Sequence, residues 1–506
     1  MHIAEGLHRA ALTNRNGIAY VDQGAKRTWI EMQSAVRRLT GGLVSKSVAM
    51  GDRVAVLASN SARQLECFYA IPSLGAITVP LNWRWSDREI ADAIKDCEPA
   101  IILADTQNLS RVAGVAQSGI PVLRLGDDTD RLIADSEERA PFDLDAGSTA
   151  MIFYTGGTTG GSKGVMLSHR NIVTTAIGIC AAFRLPSRPA WLHLMPMFHV
   201  GDGICSFSIT MLGGTHVFID RFDPVLVFEA IQRHRISCTN FVPSMLSTLM
   251  NHPERDRYDL TSIERVLYGG SPIPSELLAH FMREFKSWQF FQGYGMTEST
   301  ALAVSLPWEE HHLDGPLAKR RASAGRPMLG VEVRIAEDDG TEAPDGEVGE
   351  ILIRGDLVMT GYWRRPELTR QNVRDGWLHS GDLGYRDEDG FIYIVDRKKD
   401  MIITGGENVY STEVEGAIYA HPSLVECAVT GLPSDRWGEL VHAVVVPKEG
   451  AALSSSDIIE RCRTYVGGYK CPKSVTIRYE GLPKSGAGKI LKKALREELA
   501  SQSELA

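Results

Sequence analysis

Between residues 50 and 125, short apolar runs alternate with amphipathic stretches. Residues 53–58 (RVAVLA) form a compact apolar run behind Gly51-Asp52, the signature of a buried strand. Asn60-Ser61 is an N-cap signal for a helix through Tyr69. Residues 76–81 predict another strand, 87–97 an amphipathic helix and 100–104 (AIILA) a third strand. Such alternation predicts an α/β fold on a mainly parallel sheet. It continues beyond residue 150, with strands near 151–153, 191–194, 215–219 and 237–241. From about residue 330 the strands shorten between glycines and charged turns (331–335, 350–354, 391–395), which predicts an antiparallel β-rich subdomain. The charged run 396–400 (DRKKD) marks the main boundary, separating a body over 1–396 from a small α+β domain over 397–506.

With 506 residues the chain is long enough for several buried cores. Apolar residues at 43% and charged residues at 23% exclude a disordered or fibrous chain. A net charge of −9 argues against nucleic acid as a partner, since phosphate backbones demand a basic face. The acidity is uneven: from Arg397 onward 15 basic residues meet 14 acidic ones. The eight cysteines are dispersed without a C-x-x-C pair, which fits packing thiols in a reducing cytoplasm. The N-terminus has no basic, apolar leader pattern. The longest apolar stretch, 67–81, is broken by Pro72, Gly75 and Pro80, so no transmembrane segment is expected.

The most informative segment is 154–164 (YTGGTTGGSKG), which follows the apolar run 151–153 and precedes a helix-like stretch near Ser168-His169. Glycines let backbone amides converge on an anion, while hydroxyls and a lysine add donors and charge. Thr155, Gly156, Gly157, Thr158, Thr159, Gly160 and Lys163 would then cradle phosphate. It does not fit the Walker A pattern, because Ser162-Lys163-Gly164 stands where Gly-Lys-Ser/Thr is required. The residues alone favour the phosphate cradle over the alternative, a flexible Gly/Thr turn.

This segment resembles the phosphate loop of adenylate-forming enzymes, the superfamily of acyl-CoA synthetases, adenylation domains and beetle luciferases. It departs from that pattern at Gly156 (for Ser) and Ser162 (for Pro). Seven further segments follow in the family's order: 195–199 (MPMFH), 268–272 (YGGSP), 292–298 (QGYGMTE), 380–382 (SGD), 396–400 (DRKKD), 405–408 (GGEN) and 483–489 (PKSGAGK). The resemblance implies ATP and a carboxylic acid as substrates, Mg²⁺ as the metal, and coenzyme A as acceptor.

It also implies residue roles. Gly269, Gly270 and Ser271 would lie on the adenine side, with Gln292, Gly293 and the ring of Tyr294. Thr297 would donate to the α-phosphate and Glu298 would hold Mg²⁺, a hard cation that takes oxygen ligands. Asp382 would bind the ribose hydroxyls and Arg397 would reinforce it. Lys489 would carry the catalytic ammonium. Each has a bland counterpart: a helix-capping Thr297-Glu298 pair, a core tyrosine, a turn aspartate, a solvated hinge charge and a flexible basic tail.

The small domain is expected to be mobile, rotating about Lys399 after adenylation to bring Gly405, Gly406 and Glu407 to the cleft as a pantetheine tunnel. Trp437 stands where some relatives stack the CoA adenine, with a packing tryptophan as the alternative. Lys473 belongs to a basic segment near the CoA phosphates, in which Cys471 replaces a relative's arginine. His199 would lie between acyl pocket and tunnel. The pocket is expected near Gly178, Val200, Gly201, Val242, Tyr268, Gly295, Thr300 and Ala301. These mostly small or apolar residues suit a medium or long fatty acid or an aryl acid, and no arginine among them would pair a second carboxylate. Asp202, three residues after His199, is expected to be a helix-capping or solvated aspartate, with contact to a substrate amine or hydroxyl as the alternative.

The resulting reading is an ATP-dependent acyl-CoA synthetase of fatty-acid or aryl-acid metabolism. A stand-alone adenylation enzyme, loading a carrier protein or activating an amino acid, remains open, as does a non-catalytic nucleotide-binding protein. A homodimer is also left open.

Overall fold

Two large sheets form most of the body. The first has nine strands, in the order Arg326–Pro327, Val304–Leu306, Gln289–Tyr294, Arg265–Gly269, Cys238–Phe241, Ala190–His193, Thr215–Phe218, Ile18–Asp22 and Ala25–Thr28. Its interior pairs are parallel and its outermost pairs antiparallel. The second sheet has seven strands and is parallel from Thr149–Thr155 through Ile77–Pro80, Arg53–Leu57 and Ile101–Ala104 to Val122–Arg124. The computed structural model describes residues 2–116, 119–155, 162–219, 221–271, 273, 275–419, 421, 423–434, 436–484 and 490–503.

Large side chains such as Trp29, Phe68, Phe153 and Phe207 fill one core, and Phe228, Phe241 and Phe281 fill another. Strands buried on both faces read as continuous apolar runs, which is why 53–58 and 100–104 were legible. The helix Asp87–Cys97 matches its amphipathic pattern and opens on a Ser86/Glu89 capping box. The helix expected to end at Tyr69 runs Ala62–Ser73 instead, passing through Pro72. A proline in the last turn forfeits a bond without breaking the turns before it. The helices Ala4–Thr13 and Trp29–Ser45 were not read from the sequence.

Beyond residue 330 the strands Glu332–Ala336, Gly349–Arg354, Trp377–Arg386 and Ile392–Arg397 pair antiparallel throughout, as expected. A fourth sheet holds Ile402–Thr404, Glu407–Val409, Leu424–Ser434, Gly438–Pro447 and Ser474–Ile477. The helices Ser411–Tyr419, Ser455–Arg463 and Lys492–Ser503 accompany it, giving an α+β unit. Among the described residues no helix is long and apolar enough to cross a membrane.

Candidate active site

Four neighbouring parallel strands end at one edge of the nine-stranded sheet, and each is followed by a segment singled out in the sequence. Ala190–His193 leads to His199, Cys238–Phe241 to Val242, Arg265–Gly269 to Gly270-Ser271, and Gln289–Tyr294 to Gly295–Glu298. Ligands of open α/β sheets bind outside the carboxyl ends of their strands. Glycine permits the close approach here: a Cβ on Gly269 would stand 2.4 Å from the carbonyl oxygen of Gly293.

The loop after Tyr294 is tightly wound. Thr297–Ser299 form a single 3-10 turn, and Thr300 and Ala301 follow with φ of 51° and 85°. Left-handed backbone at a β-branched residue is strained, and strain persists only where surroundings enforce it. Here Thr300 Oγ1 donates to Leu357 O at 2.5 Å, and Met359 N donates to Glu298 O at 2.9 Å. Thr300 and Ala301 are consequently buried.

Glu298 Oε1 accepts a hydrogen bond from the Tyr362 hydroxyl at 2.8 Å. Burial, and then the Glu298 charge, hold the Tyr362 phenol protonated far above its ordinary value. Lys163 Nζ lies 5.7 Å from the centre of the same ring. Tyr362 thus joins two residues singled out for phosphate and metal, and sequence reasoning missed it. Its one signal is an aromatic pair, Tyr362-Trp363, beyond Gly361.

Lys163 itself closes a hairpin. The strand Lys163–Ser168 pairs antiparallel with Thr149–Thr155, and Thr155 stands opposite Lys163. The two strands flank the glycine-rich segment, and a strand, Lys163–Ser168, intervenes before the helix His169–Ala182. Gly156, Gly157, Thr158, Thr159 and Gly160 lie outside the described residues.

Tyr294, Asp382 and Arg397 meet. The Tyr294 hydroxyl donates to Asp382 Oδ2 at 2.8 Å, and Arg397 Nε lies 3.5 Å from Asp382 Oδ1. Asp382 and Arg397 are cross-strand partners in the β-rich sheet, so that register sets their pairing. Burial and the Asp382 charge raise the Tyr294 phenol well above its usual value. On the same side Gln292 Oε1 lies 3.2 Å from the Tyr268 hydroxyl, which is 2.9 Å from His311 Nε2. His311 Nδ1 donates to Pro307 O at 2.9 Å, and burial lowers this imidazole to about 4. Tyr268 is a core side chain whose ring packs against Phe290 and His311.

His199 caps the short helix Val200–Gly203, its Nδ1 accepting from Gly201 N at 3.1 Å. Val200 and Val242 are buried nearby. A Cβ on Gly178 would strike Met328 Cε at 2.6 Å, and one on Gly295 would strike Ala301 O at 2.3 Å.

Asp202 corrects its expectation. It is neither solvated nor a cap, but 0% exposed. Its Oδ1 accepts from Trp191 Nε1 at 3.1 Å and Asn240 Nδ2 at 3.3 Å, while Oδ2 lies 2.8 Å from His193 Nδ1. His193 Nε2 continues to His216 Nδ1 at 2.9 Å, and His216 Nε2 to Thr210 Oγ1 at 3.0 Å. A fully buried carboxylate must be paired, and the strands beneath the helix supply the partners.

In the small α+β unit, Gly405 and Gly406 form the turn between Ile402–Thr404 and Glu407–Val409, with φ of 61° and 86°. Positive φ at both central residues is the hairpin geometry glycine suits best. Gly405 N donates to Trp437 O at 2.8 Å, and a Cβ on Gly405 would meet the Trp437 ring at 3.2 Å. Trp437 is 41% exposed, with the Arg436 guanidinium 4.7 Å over its ring. Lys473 Nζ donates to Gly468 O at 3.0 Å, whereas Cys471 is buried in the core of this unit.

Lys399 is exposed just after Ile392–Arg397. Three residues before it, on that strand, the buried Asp396 accepts at Oδ1 from Ser411 Oγ at 3.0 Å, tying the strand to the first helix of the small unit. Arg496 Nη2 donates to Asp400 Oδ1 at 2.8 Å. Lys489 lies outside the described residues.

Among the described residues no trio of His, Cys, Asp or Glu gathers as a metal cage. Mg²⁺ bound to phosphates needs only one or two protein oxygens, so Glu298 fits that role.

The AMP-binding enzyme model matches residues 7–363 and the AMP-binding enzyme C-terminal domain model matches 413–489. A feruloyl-CoA synthase of Amycolatopsis sp is 36% identical over 491 residues, covering 96% of this chain and 97% of its own. The long-chain-fatty-acid–CoA ligase FadD13 of Mycobacterium tuberculosis is 33% identical over 494 residues, with 96% and 95% covered. The o-succinylbenzoate CoA synthetase of Bacillus subtilis, solved with its acyl-adenylate, superposes with a TM-score of 0.85 at 30% identity, covering 98% and 97% of the two chains.

Proposed function

We propose that this chain, which belongs to the AMP-binding enzyme family, is an ATP-dependent acyl-CoA synthetase acting on an aryl or fatty acid, with an aryl acid the better fit. The observation that carries this is the gathering of His199, Val242, Gly269–Ser271 and Tyr294–Glu298 at the carboxyl ends of four adjacent strands. Relatives over nearly the full length make feruloyl-CoA, fatty acyl-CoA and o-succinylbenzoyl-CoA, two of them from ring-bearing acids.

The acid's carboxylate attacks the α-phosphorus of ATP, and the bond to pyrophosphate breaks as the acyl-adenylate forms. Tyr294 lies along the adenine, while Asp382 accepts from the ribose hydroxyls. Lys163, Thr297 and Lys489 meet the negative charge concentrated on the phosphates. Mg²⁺, held by Glu298, supplies charge neutralisation there. The small domain, over 397–506, then turns about Lys399 and withdraws Lys489. Gly405–Glu407, Trp437 and Lys473 carry CoA, whose sulfur attacks the acyl carbon; AMP leaves and the thiol proton is released.

The dispersed cysteines fit a cytoplasmic enzyme, acting alone or as a homodimer. The test scores pyrophosphate release and thioester from aryl and fatty acids, with and without CoA. Release with an acid, and thioester only when CoA is added, is expected. No acid-dependent release sinks the reading, and thioester made only on a carrier protein moves the acceptor.

A further inference from the structure

His199 is presented by a buried loop that has no regular structure of its own. Residues 195–198 lie between the strand Ala190–His193 and the helix Val200–Gly203; all four are buried, and His199 is the one residue of 195–200 that is not. Buried backbone outside helices and sheets must find partners elsewhere. Asn60 supplies two of them: its Nδ2 donates to Met195 O at 2.7 Å, and its Oδ1 accepts from Met197 N at 2.8 Å. One side-chain amide thus holds the loop on both sides of Pro196, much as a neighbouring strand would. It cannot be turned over, because that would set oxygen against oxygen and N–H against N–H. Pro196 O in turn accepts from His199 N at 3.0 Å, so the clamped stretch runs straight into the histidine.

The corner that carries Asn60 is fixed independently. It follows the strand Arg53–Leu57 of the seven-stranded sheet and precedes the helix Ala62–Ser73, whose N-cap is Ser61. Asp105 Oδ2 accepts from Ser59 N at 2.9 Å and from Ser59 Oγ at 2.8 Å, while Asp22 Oδ2 accepts from Ala62 N at 2.8 Å. Asp105 stands just past Ile101–Ala104 in the same sheet, and Asp22 ends a strand of the nine-stranded one. A loop of the nine-stranded sheet therefore takes its position from a rigid corner of the other sheet. Beyond His199, the helix is held separately through Asp202 by Trp191 and His193.

We propose that Asn60 is a positioning residue for the acid, acting through His199: its amide sets the loop that aims the imidazole. The inference rests on the ligase reading above and deepens it, adding a residue from the sheet that does not carry the four site strands. His199 is clamped on both sides, by Asn60 before it and by Asp202 after it, and stands out between them as the one side chain not buried. Its Nδ1 accepts from Gly201 N at 3.1 Å, which places the proton of the neutral ring on Nε2. Asn60 fixes where that ring stands, and the Gly201 contact fixes which nitrogen it offers.

The experiment is a double-mutant cycle on Asn60→Leu and His199→Ala, read as kcat/KM for benzoate, 4-coumarate or octanoate by pyrophosphate release. Asn60→Leu should lower kcat/KM for the acid about tenfold, since misplacing a positioning group by about 1 Å can cost about a hundredfold. KM for ATP should hold. In the His199→Ala background the same substitution should cost almost nothing, because the group it positions is gone. Losses that multiply in the double variant mark a merely structural asparagine and overturn the inference. Wild-type turnover by Asn60→Leu or by His199→Ala also overturns it, and each of these results leaves the ligase reading intact. No acid-dependent release by wild type removes the ligase reading itself. Should Asn60→Leu fail to fold, Asn60→Asp enters the cycle in its place. It keeps the bond from Met197 N, loses the one to Met195 O, and should give the same non-additive pattern.

Discussion

Asp382 and Asp202 are carboxylates of the same body, each accepting from an aromatic side chain, yet their surroundings differ sharply. Asp382 takes the Tyr294 hydroxyl and faces Arg397, whose side chain is 48% exposed. Asp202 takes the Trp191 indole and faces His193, with both side chains of that pair 0% exposed. A cation left in water can exchange its partner for a ligand, and its screened pairing costs little to loosen. A sealed pair cannot open without stranding a charge, so it holds backbone in place. The side proposed for the nucleotide is thus built for exchange and the side proposed for the acyl group for rigidity.

Removing Asp202 should break that contrast most violently. Asp202→Ala leaves His193 and the Trp191 N–H without their acceptor, and a loss of about 3–5 kcal/mol is expected. Thermal melting checks it; a variant melting with wild type would show the row to be dispensable.

Acid should reach both sides through histidines kept neutral by burial. His311, beside Tyr268, and His169, at the start of the helix carrying Gly178, are each lowered to about 4. An unfolded chain takes up those protons near the ordinary histidine value of about 6.5, before the folded one does. Their stabilisation is therefore complete above that value and drains away as pH falls toward 4, by roughly 2–3 kcal/mol for each. Melting temperatures across this window measure it, and a flat profile would contradict it.

The smallest effect belongs to the exchangeable side. Tyr294→Phe removes one hydrogen bond to Asp382 and should raise KM for ATP about fivefold, an effect of ~1 kcal/mol. The melting point should hardly move. A large stability loss would mean that Tyr294 is as structural as Trp191.

Much of this was legible in the residues because buried parallel strands declare themselves as apolar runs and the motifs keep fixed order. The helix 87–97 and the strand starting at Arg53 came directly from periodicity and turn signals. The first fifty residues did not, because their helices were masked by glycines and scattered polar groups. The hairpin at Lys163 was hidden since its second strand looks like a continuation of the loop. Asp202 was misjudged for a deeper reason: its partners Trp191, His193 and Asn240 come from two other strands, and pairing across a sheet leaves no trace in local pattern. Tyr362 escaped in the same way, being brought to Glu298 by a strand Gly361–Tyr362 that joins the far edge of the second sheet.

Asp396 has a consequence for how force would travel between the two units. Its backbone belongs to a strand of the β-rich sheet, while its carboxylate grips Ser411 on the far side of the joint. Asp400, four residues on, is held by Arg496. Little slack chain remains between those anchors, so the turning proposed above would fall on a handful of backbone dihedrals. In that proposal the joint would act as an axle rather than a tether. It would swing the small unit along one arc and return it to register.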